Sequence, residues 1–325
     1  MKTLSVIMPY FNEDLALPLR ALNSITAQVG VDFSRIDVCI AIDNGGNSKG
    51  IAKLLKENDF PFAVKFITRK GENSPGLNRQ NGVDQTDGDY IMFIDADDTL
   101  WGDIALAPVF RDLDNDDPKK PTDLWNYKIQ HEGYDADKKL LITQAPHNRT
   151  WLHARVVRRE LLKQHDIKFS SEIIYNEDVY WVNLVLGLSE NIIHREESIY
   201  FWRYNPNSIT RSNTNYNLHH FDDYIRAMRL STLLIPKPKH RRDAAQQALF
   251  RSFFVLTDPA SDTPENSPYI QASNNQLRAM CHDFSGELDF TTPETTKNFV
   301  GTLSNSNQIL QFNLSFLGWL SQITK

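Results

Sequence analysis

The chain has 325 residues, 41% hydrophobic and 23% charged, with a formal net charge of −6. That length and balance suit a soluble globular protein with one sizeable α/β domain and a smaller appendage. The acidic balance argues against a general nucleic-acid binder, and the two widely separated cysteines, Cys39 and Cys281, match no metal or redox spacing.

The first hundred residues alternate strand and helix patterns. Apolar runs over 4–8, 38–42, 64–68 and 90–94 predict strands. Amphipathic stretches over 14–28, 49–58 and 77–85 predict the helices between them. Such alternation implies right-handed βαβ units and a mainly parallel sheet, flanked by helices in the Rossmann-like manner. After a polar, proline-containing segment over 112–122, the pattern predicts a strand over 124–130, helices over 154–164 and 178–188, and a strand over 199–204.

From about residue 213 the texture is mostly helical. Patterns over 218–234 and 241–257 are separated by the breaker Pro236-Lys237-Pro238, and 258–268 reads as a loop. A final helix over 308–323 carries Ile309, Phe312, Phe316, Trp319, Leu320 and Ile323 at helical spacing, which favours core or oligomer packing over membrane contact. Two domains are expected, 1–212 and 213–325, the second serving acceptor choice, self-association or a membrane surface. A strand pattern beginning almost at Met1 and the lack of an apolar run of spanning length predict no signal peptide and a cytosolic protein, with work at the inner face of a membrane still open.

The most informative stretch is Asp95-Ala96-Asp97-Asp98, which follows the apolar run Tyr90-Ile91-Met92-Phe93-Ile94. A buried strand that ends in acids delivers negative charge to the carboxyl edge of the sheet, where open α/β folds bind ligands. Carboxylates this close repel unless a cation shares them, and Mg²⁺ or Mn²⁺ with a diphosphate is the usual resident of an oxygen-ligand site. Four further segments sit where one nucleotide-sugar site needs them. They are Pro9-Tyr10-Phe11-Asn12-Glu13, Asp43-Asn44-Gly45-Gly46, the turn and helix start from Asn73 through Arg79 to Gly82, and Asn176-Glu177-Asp178 followed by Arg203-Tyr204-Asn205-Pro206-Asn207-Ser208-Ile209-Thr210.

In this order the segments resemble a family 2 glycosyltransferase of the inverting GT-A fold, over about residues 3–212. The resemblance assigns Pro9, Phe11, Glu13 and Asp43 to the nucleoside pocket, and Arg79 to the base or the diphosphate. Phe11 can offer a flat face to uracil and Asp43 can accept from the ring N–H; strand-end packing and a turn cap are the bland readings of the same residues. The family usually reads Ala-Arg-Asn where this chain has Asn78-Arg79-Gln80.

By the same resemblance Asp97 is the principal metal ligand, Asp95 faces the ribose or helps hold the ion, and Asp98 lies near the donor sugar. The ion, Mn²⁺ or Mg²⁺, would steady the leaving diphosphate. Asn205 stands where many relatives place a histidine ligand, so Arg203 and Ser208 are expected to carry more of the phosphate. Asp178, at the head of an apolar helix, is the candidate general base, with Glu177 beside it for the acceptor; capping of that helix is the alternative. The histidines, including His147 and His153 on either side of Arg149, are expected at the surface or in ordinary hydrogen bonds.

These features imply a metal-dependent transfer of a hexosyl or N-acetylhexosaminyl group from a nucleotide-sugar donor, most simply a UDP-sugar. The hydroxyl acceptor would be a carbohydrate, a lipid-linked molecule or a polymer, as in surface polysaccharide, teichoic acid or glycolipid synthesis. The competing expectation is a non-catalytic nucleotide-sugar-binding module with the same fold. A nucleotidyltransferase would show a Gly-rich N-terminal phosphate loop, which Pro9-Tyr10-Phe11-Asn12 is not.

Overall fold

The structure, a computed structural model, describes all residues except 136, 146–149, 207, 209–215, 259–260, 262, 291–305 and 325. His147, Arg149, Asn207, Ile209 and Thr210 fall outside the described residues, as do the side chains of Ile309 and Phe312. The chain forms two compact units, Met1–Pro206 and Asn207–Lys325.

The first unit is built on one nine-stranded sheet. Its strands are β1 (Leu4–Tyr10), β2 (Ile36–Ile42), β3 (Ala63–Thr68), β4 (Tyr90–Phe93), β5 (Thr99–Leu100), β6 (Leu124–Tyr134), β7 (Leu140–Ala145), β8 (Arg155–Arg158) and β9 (Ile192–Trp202). They run in the order β3-β2-β1-β4-β8-β6-β9-β5, with β7 paired to β6. The first four strands are parallel, β1 pairing with β2 from Leu4↔Ile36 to Tyr10↔Ile42 and with β4 from Leu4↔Tyr90 to Ile7↔Phe93. Beyond β4 the sheet becomes mixed, because β8 joins antiparallel while β6 and β9 pair parallel. Val6, Val38, Ile40, Ile91 and Met92 are fully buried, as expected of central strands covered on both faces.

The helices of this unit are α1 (Ala16–Thr26), α2 (Ser48–Glu57), α3 (Pro75–Asp84), α4 (Leu106–Asn115), α5 (Arg159–Gln164) and α6 (Glu177–Leu188). The start of α3 is written in the sequence. The Ser74 hydroxyl accepts from Leu77 N–H at 3.3 Å, and Pro75 occupies the first turn, where its missing N–H is harmless. Gly82 lets α3 lie on β1, since a Cβ there would come within 2.5 Å of Ile7 Cγ2.

The chain reverses its direction of strand addition between β1 and β4, so their carboxyl ends open the crevice where such sheets take ligands. Phe11 and Glu13 follow β1, Asp43 follows β2, Arg69 follows β3 and the acidic turn follows β4. One sheet edge therefore gathers residues that are far apart in the chain.

Two expectations need correction. The helix over 154–164 is a strand, β8, followed by the short α5, because the Arg155-Val156-Val157-Arg158 run is captured between β4 and β6. Tertiary pairing overrides the weak helical periodicity there. The strand over 199–204 is the end of the longer β9, whose polar first half, His194 to Glu197, hides its extent.

In the second unit the helices are α7 (Phe221–Leu233), α8 (Pro238–Leu256), α9 (Ser267–Asp283) and α10 (Ser306–Ile323), after a short turn of helix at Tyr216–His219. The α9 helix had no assigned pattern. On α10, Phe316 is buried against Phe250 at 4.5 Å and Trp319 meets Phe253 at 5.5 Å, so these two aromatics pack within the unit itself. Among the described residues no helix is long and apolar enough to cross a membrane.

Candidate active site

Pro9, Phe11, Glu13 and Asp43 are carried by the ends of β1 and β2 and the loops after them. Asp43 is buried, and its carboxylate accepts from Ser74 N–H at 2.7 Å, Asn44 N–H at 2.9 Å and Arg69 Nε at 3.2 Å. The loop after β2 is tied to the loop after β1 by Asn47 N–H donating to the Phe11 carbonyl at 2.8 Å. Phe11 is 39% exposed, an open aromatic at the mouth of a sheet edge, whereas Pro9 is half-buried inside β1 opposite Ala41. Glu13 accepts from Phe11 N–H at 2.8 Å. Burial raises the Glu13 pKa, and the nearby Asp97 and Asp95 charges push the same way.

The acidic turn presents its three carboxylates in three different settings. Asp95 Oδ1 accepts from Arg79 Nη2 at 2.8 Å and Oδ2 lies 2.9 Å from His153 Nε2. Burial alone would raise its pKa, but Arg79 and His153 outweigh it and hold the carboxyl well below the usual range. Asp98 is almost fully buried; Tyr200 Oη donates to Oδ2 at 2.6 Å and Arg203 N–H to Oδ1 at 2.8 Å. Burial pushes Asp98 up to about 8, with Asp95 and Asp97 adding to the rise against the opposing pull of His153. Asp97 is the least engaged of the three, with Oδ2 accepting from Asn205 Nδ2 at 2.8 Å and its carbonyl accepting from Arg20 Nη2 at 2.5 Å.

Helix α1 and the residues just after it brace this turn through Arg20, Ser24 and Gln28, spaced four apart. Arg20 holds the Asp97 carbonyl, Ser24 Oγ accepts from Leu100 N–H at 3.1 Å, and Gln28 bonds both the Gly102 carbonyl at 2.7 Å and Leu106 N–H at 2.9 Å. The turn is therefore fixed from outside the sheet as well as by β4.

On the opposite side, α6 opens with Glu177 and Asp178, where carboxylates complement the helix dipole. Asn176, just before them, is in the left-handed region at φ 60°, an uncommon state that asparagine tolerates. The helix is keyed to β4 by Trp181, which stacks on Phe169 and meets Phe93 edge-on at 5.4 Å. Burial pushes Glu177 up to about 7 against the pull of Arg79, and burial likewise raises Asp178. Arg79 joins the two sides: Nη1 donates to Glu177 Oε1 at 2.6 Å while Nη2 holds Asp95. Burial lowers the Arg79 pKa, but Asp95 and Glu177 outweigh it, so the guanidinium stays charged.

Arg203 lies over the Phe201 ring at 4.9 Å and near Glu132, with Nε 3.8 Å from Oε2. Ser208 falls in the second unit. The structure thus brings Glu13, Arg79, Asp95, Asp97, Asp98, Asn205, Glu177 and Asp178 into one network of contacts and charges. Sequence reasoning missed four contributors: Arg20, Arg69, His153 and Tyr200. Arg69 obeys the same strand-end logic as Asp43 and was legible. His153 lies 58 residues from its partner and shows no local spacing.

The residues suit a hard divalent cation. Mg²⁺ is commonly held by one or two carboxylates plus substrate phosphates and water. Asp97 has an oxygen, Oδ1, that accepts no hydrogen bond among the described residues, and Asn205 stands beside it, its Nδ2 donating to Oδ2 at 2.8 Å. His153 also lies with Asp95 and Asp98 in a group whose ligand atoms are within 4.8 Å of one another, but there the carboxylates are already hydrogen-bonded.

Residues 5–165 match the family model described as glycosyl transferase family 2. A GalNAc(5)-diNAcBac-PP-undecaprenol beta-1,3-glucosyltransferase of Campylobacter jejuni is 28% identical over 212 residues, 62% of this chain and 65% of that protein. The chain thus spans just under two thirds of that relative's length. Among solved structures, S. aureus TarS superposes over 98% of this chain and 92% of its own, with a TM-score of 0.66 at 17% identity. TarS in complex with UDP-GlcNAc gives 0.68 at 16% identity over the same shares. The likeness to these structures establishes the GT-A fold.

Proposed function

This chain belongs to glycosyl transferase family 2, and from that premise we propose that it is an inverting, metal-assisted enzyme that moves a sugar from a UDP-sugar to a hydroxyl acceptor. The observation that carries the reading is the Arg79 bridge, which sets the strand-end acids and the α6 acids on two sides of one sheet edge. A displacement at an anomeric carbon needs that arrangement: leaving-group stabilisation on one side and a base on the other.

In this reading Phe11, Asp43 and the polar groups around Ser74 receive the nucleoside, with Pro9 and Glu13 shaping the loop after β1. Asp95 accepts from the ribose, and Asp98 orders the turn near the donor sugar. A divalent ion held by Asp97 and Asn205, at the margin of Asp95, would supply Lewis-acid neutralisation of the leaving diphosphate. Arg203 adds positive charge on the same side.

Asp178 takes the proton of the acceptor hydroxyl as the oxygen forms its bond to the anomeric carbon. The bond from that carbon to the phosphate oxygen breaks at the same centre, and the nucleoside diphosphate leaves with the electron pair. The configuration inverts. Burial supports Asp178 as a base, since a carboxylate with a raised pKa accepts a proton more readily. Glu177, already ordered by Arg79, orients the acceptor.

UDP as the carrier is favoured by the UDP-GlcNAc complex of TarS, and a hexosyl or N-acetylhexosaminyl group by the donors named for the neighbours. A lipid-linked acceptor is favoured by the undecaprenol-linked substrate named for the Campylobacter jejuni relative. Such an acceptor would bring the enzyme to a membrane surface. A thermal-shift screen of UDP, GDP and dTDP, with and without Mn²⁺, tests the donor side. UDP with Mn²⁺ is expected to give the largest rise in Tm, and no rise with any nucleotide would overturn the reading.

A further inference from the structure

We infer that His153 is a positioning residue for Asp95, and through it for the ribose end of the donor; the inference rests on the transferase reading above. Three observations support it. His153 Nε2 meets Asp95 Oδ2 at 2.9 Å, while Arg79 holds the other oxygen at 2.8 Å, so the carboxylate is gripped at both ends and cannot rotate. The imidazole packs on the Tyr200 ring, centroids 4.6 Å apart. Tyr200 in turn donates to Asp98 at 2.6 Å and accepts from Asp95 N–H at 3.1 Å. The two packed rings therefore hold both ends of the acidic turn.

The third observation is how the backbone aims the histidine. Ala154, fully buried, sits in the left-handed region at φ 57°, which an alanine adopts only against a steric penalty. Its carbonyl accepts from Tyr127 N–H at 2.9 Å, and the buried Arg155 donates to the Trp151 carbonyl at 2.7 Å. The Trp151–Arg155 turn is thus locked from both sides, and it presents His153 to Asp95 just before β8 begins. A side chain fixed so firmly against a carboxylate sets where that carboxylate can accept a further hydrogen bond. With Asp95 held, its remaining lone pairs face the crevice in one orientation, which preorganises recognition of a vicinal diol.

The test uses the full chain carrying His153→Leu or His153→Gln. Glutamine can place an N–H donor near the position of Nε2; leucine cannot. UDP affinity is measured by calorimetry with Mn²⁺, and donor KM and kcat are measured separately. His153→Leu is expected to weaken UDP binding and raise donor KM together by about tenfold, the order lost with one charge-assisted hydrogen bond, with kcat changed far less. His153→Gln should recover most of both. Equal losses in the two variants would mean that His153 acts by packing alone and would overturn the inference, as would unchanged UDP affinity in His153→Leu. Should His153→Leu not fold, His153→Met carries the same expectation and the same comparison with glutamine. Wild-type protein that binds UDP but transfers no sugar would overturn the transferase reading, while the affinity measurement would still judge His153.

Discussion

Arg79 and Glu177, 98 positions apart in sequence, are joined by a 2.6 Å ion-paired hydrogen bond that ties the middle of α3 to the start of α6. The same guanidinium holds Asp95, so one largely buried cation balances acids from two sides of the site. Removing one partner of such a group leaves the others charged and desolvated. Arg79→Met is expected to lower the free energy of unfolding by about 3 kcal/mol and to abolish nucleotide binding. Arg79→Lys should not restore either, because an ammonium cannot span both carboxylates. Chemical denaturation and calorimetry with UDP check both expectations; a lysine variant with wild-type affinity would show that the bridge is dispensable.

Gly76 makes room for that bridge. A Cβ at this position would stand 2.8 Å from Glu177 Cγ and 3.2 Å from Phe169 Cδ1. Gly76→Ala should therefore destabilise the protein by about 1–3 kcal/mol through overpacking, in spite of alanine's better helix propensity. Retained activity with a raised Tm would contradict this.

Burial places the Glu177 pKa at about 7, above its ordinary value of 4.5. Between those values the folded state binds more protons than the unfolded state at this site, so its contribution to stability falls as pH rises through the window. Glu177→Gln removes the titration. The variant is expected to gain stability relative to wild type from pH 5 to pH 8, measured as the difference in Tm across that range. A difference that stays constant, or that moves the other way, would show that Glu177 is ionised throughout.

Asn205 donates to Asp97 at 2.8 Å where a histidine would offer a ligand nitrogen. An amide oxygen is a weak ligand, and the Asp97 corner is expected to bind Mn²⁺ loosely unless a diphosphate completes the shell. Asn205→His should lower the Mn²⁺ concentration needed for half-maximal donor turnover. An unchanged metal requirement would place the ion elsewhere or nowhere.

Where the chemistry rests on strand ends, much was readable in the sequence. The apolar runs of β1, β2 and β4 end one to three residues before Phe11, Asp43 and Asp95, and parallel pairing brings such ends to one edge. The same logic reaches Arg69 after β3. The parts that escaped are those decided by long-range pairing. Arg155 to Arg158 pairs with β4 and β6 instead of continuing a helix, and the left-handed Ala154 that turns His153 towards Asp95 has no glycine or asparagine to signal it. The polar stripe Arg20, Ser24 and Gln28 looks like an exposed helix face until the chain after Asp97 folds against it.

The most direct test of the central claim is the pH dependence of sugar transfer from a UDP-sugar, measured with Mn²⁺ for wild type and Asp178→Asn. Burial raises the Asp178 pKa, so wild-type kcat should rise with pH through an ionisation above the ordinary carboxylate range. Asp178→Asn should bind UDP with wild-type affinity and lose about 10²- to 10⁴-fold in kcat, together with that rising limb. A variant that keeps wild-type turnover with the same pH profile would contradict the assignment of Asp178 as the base.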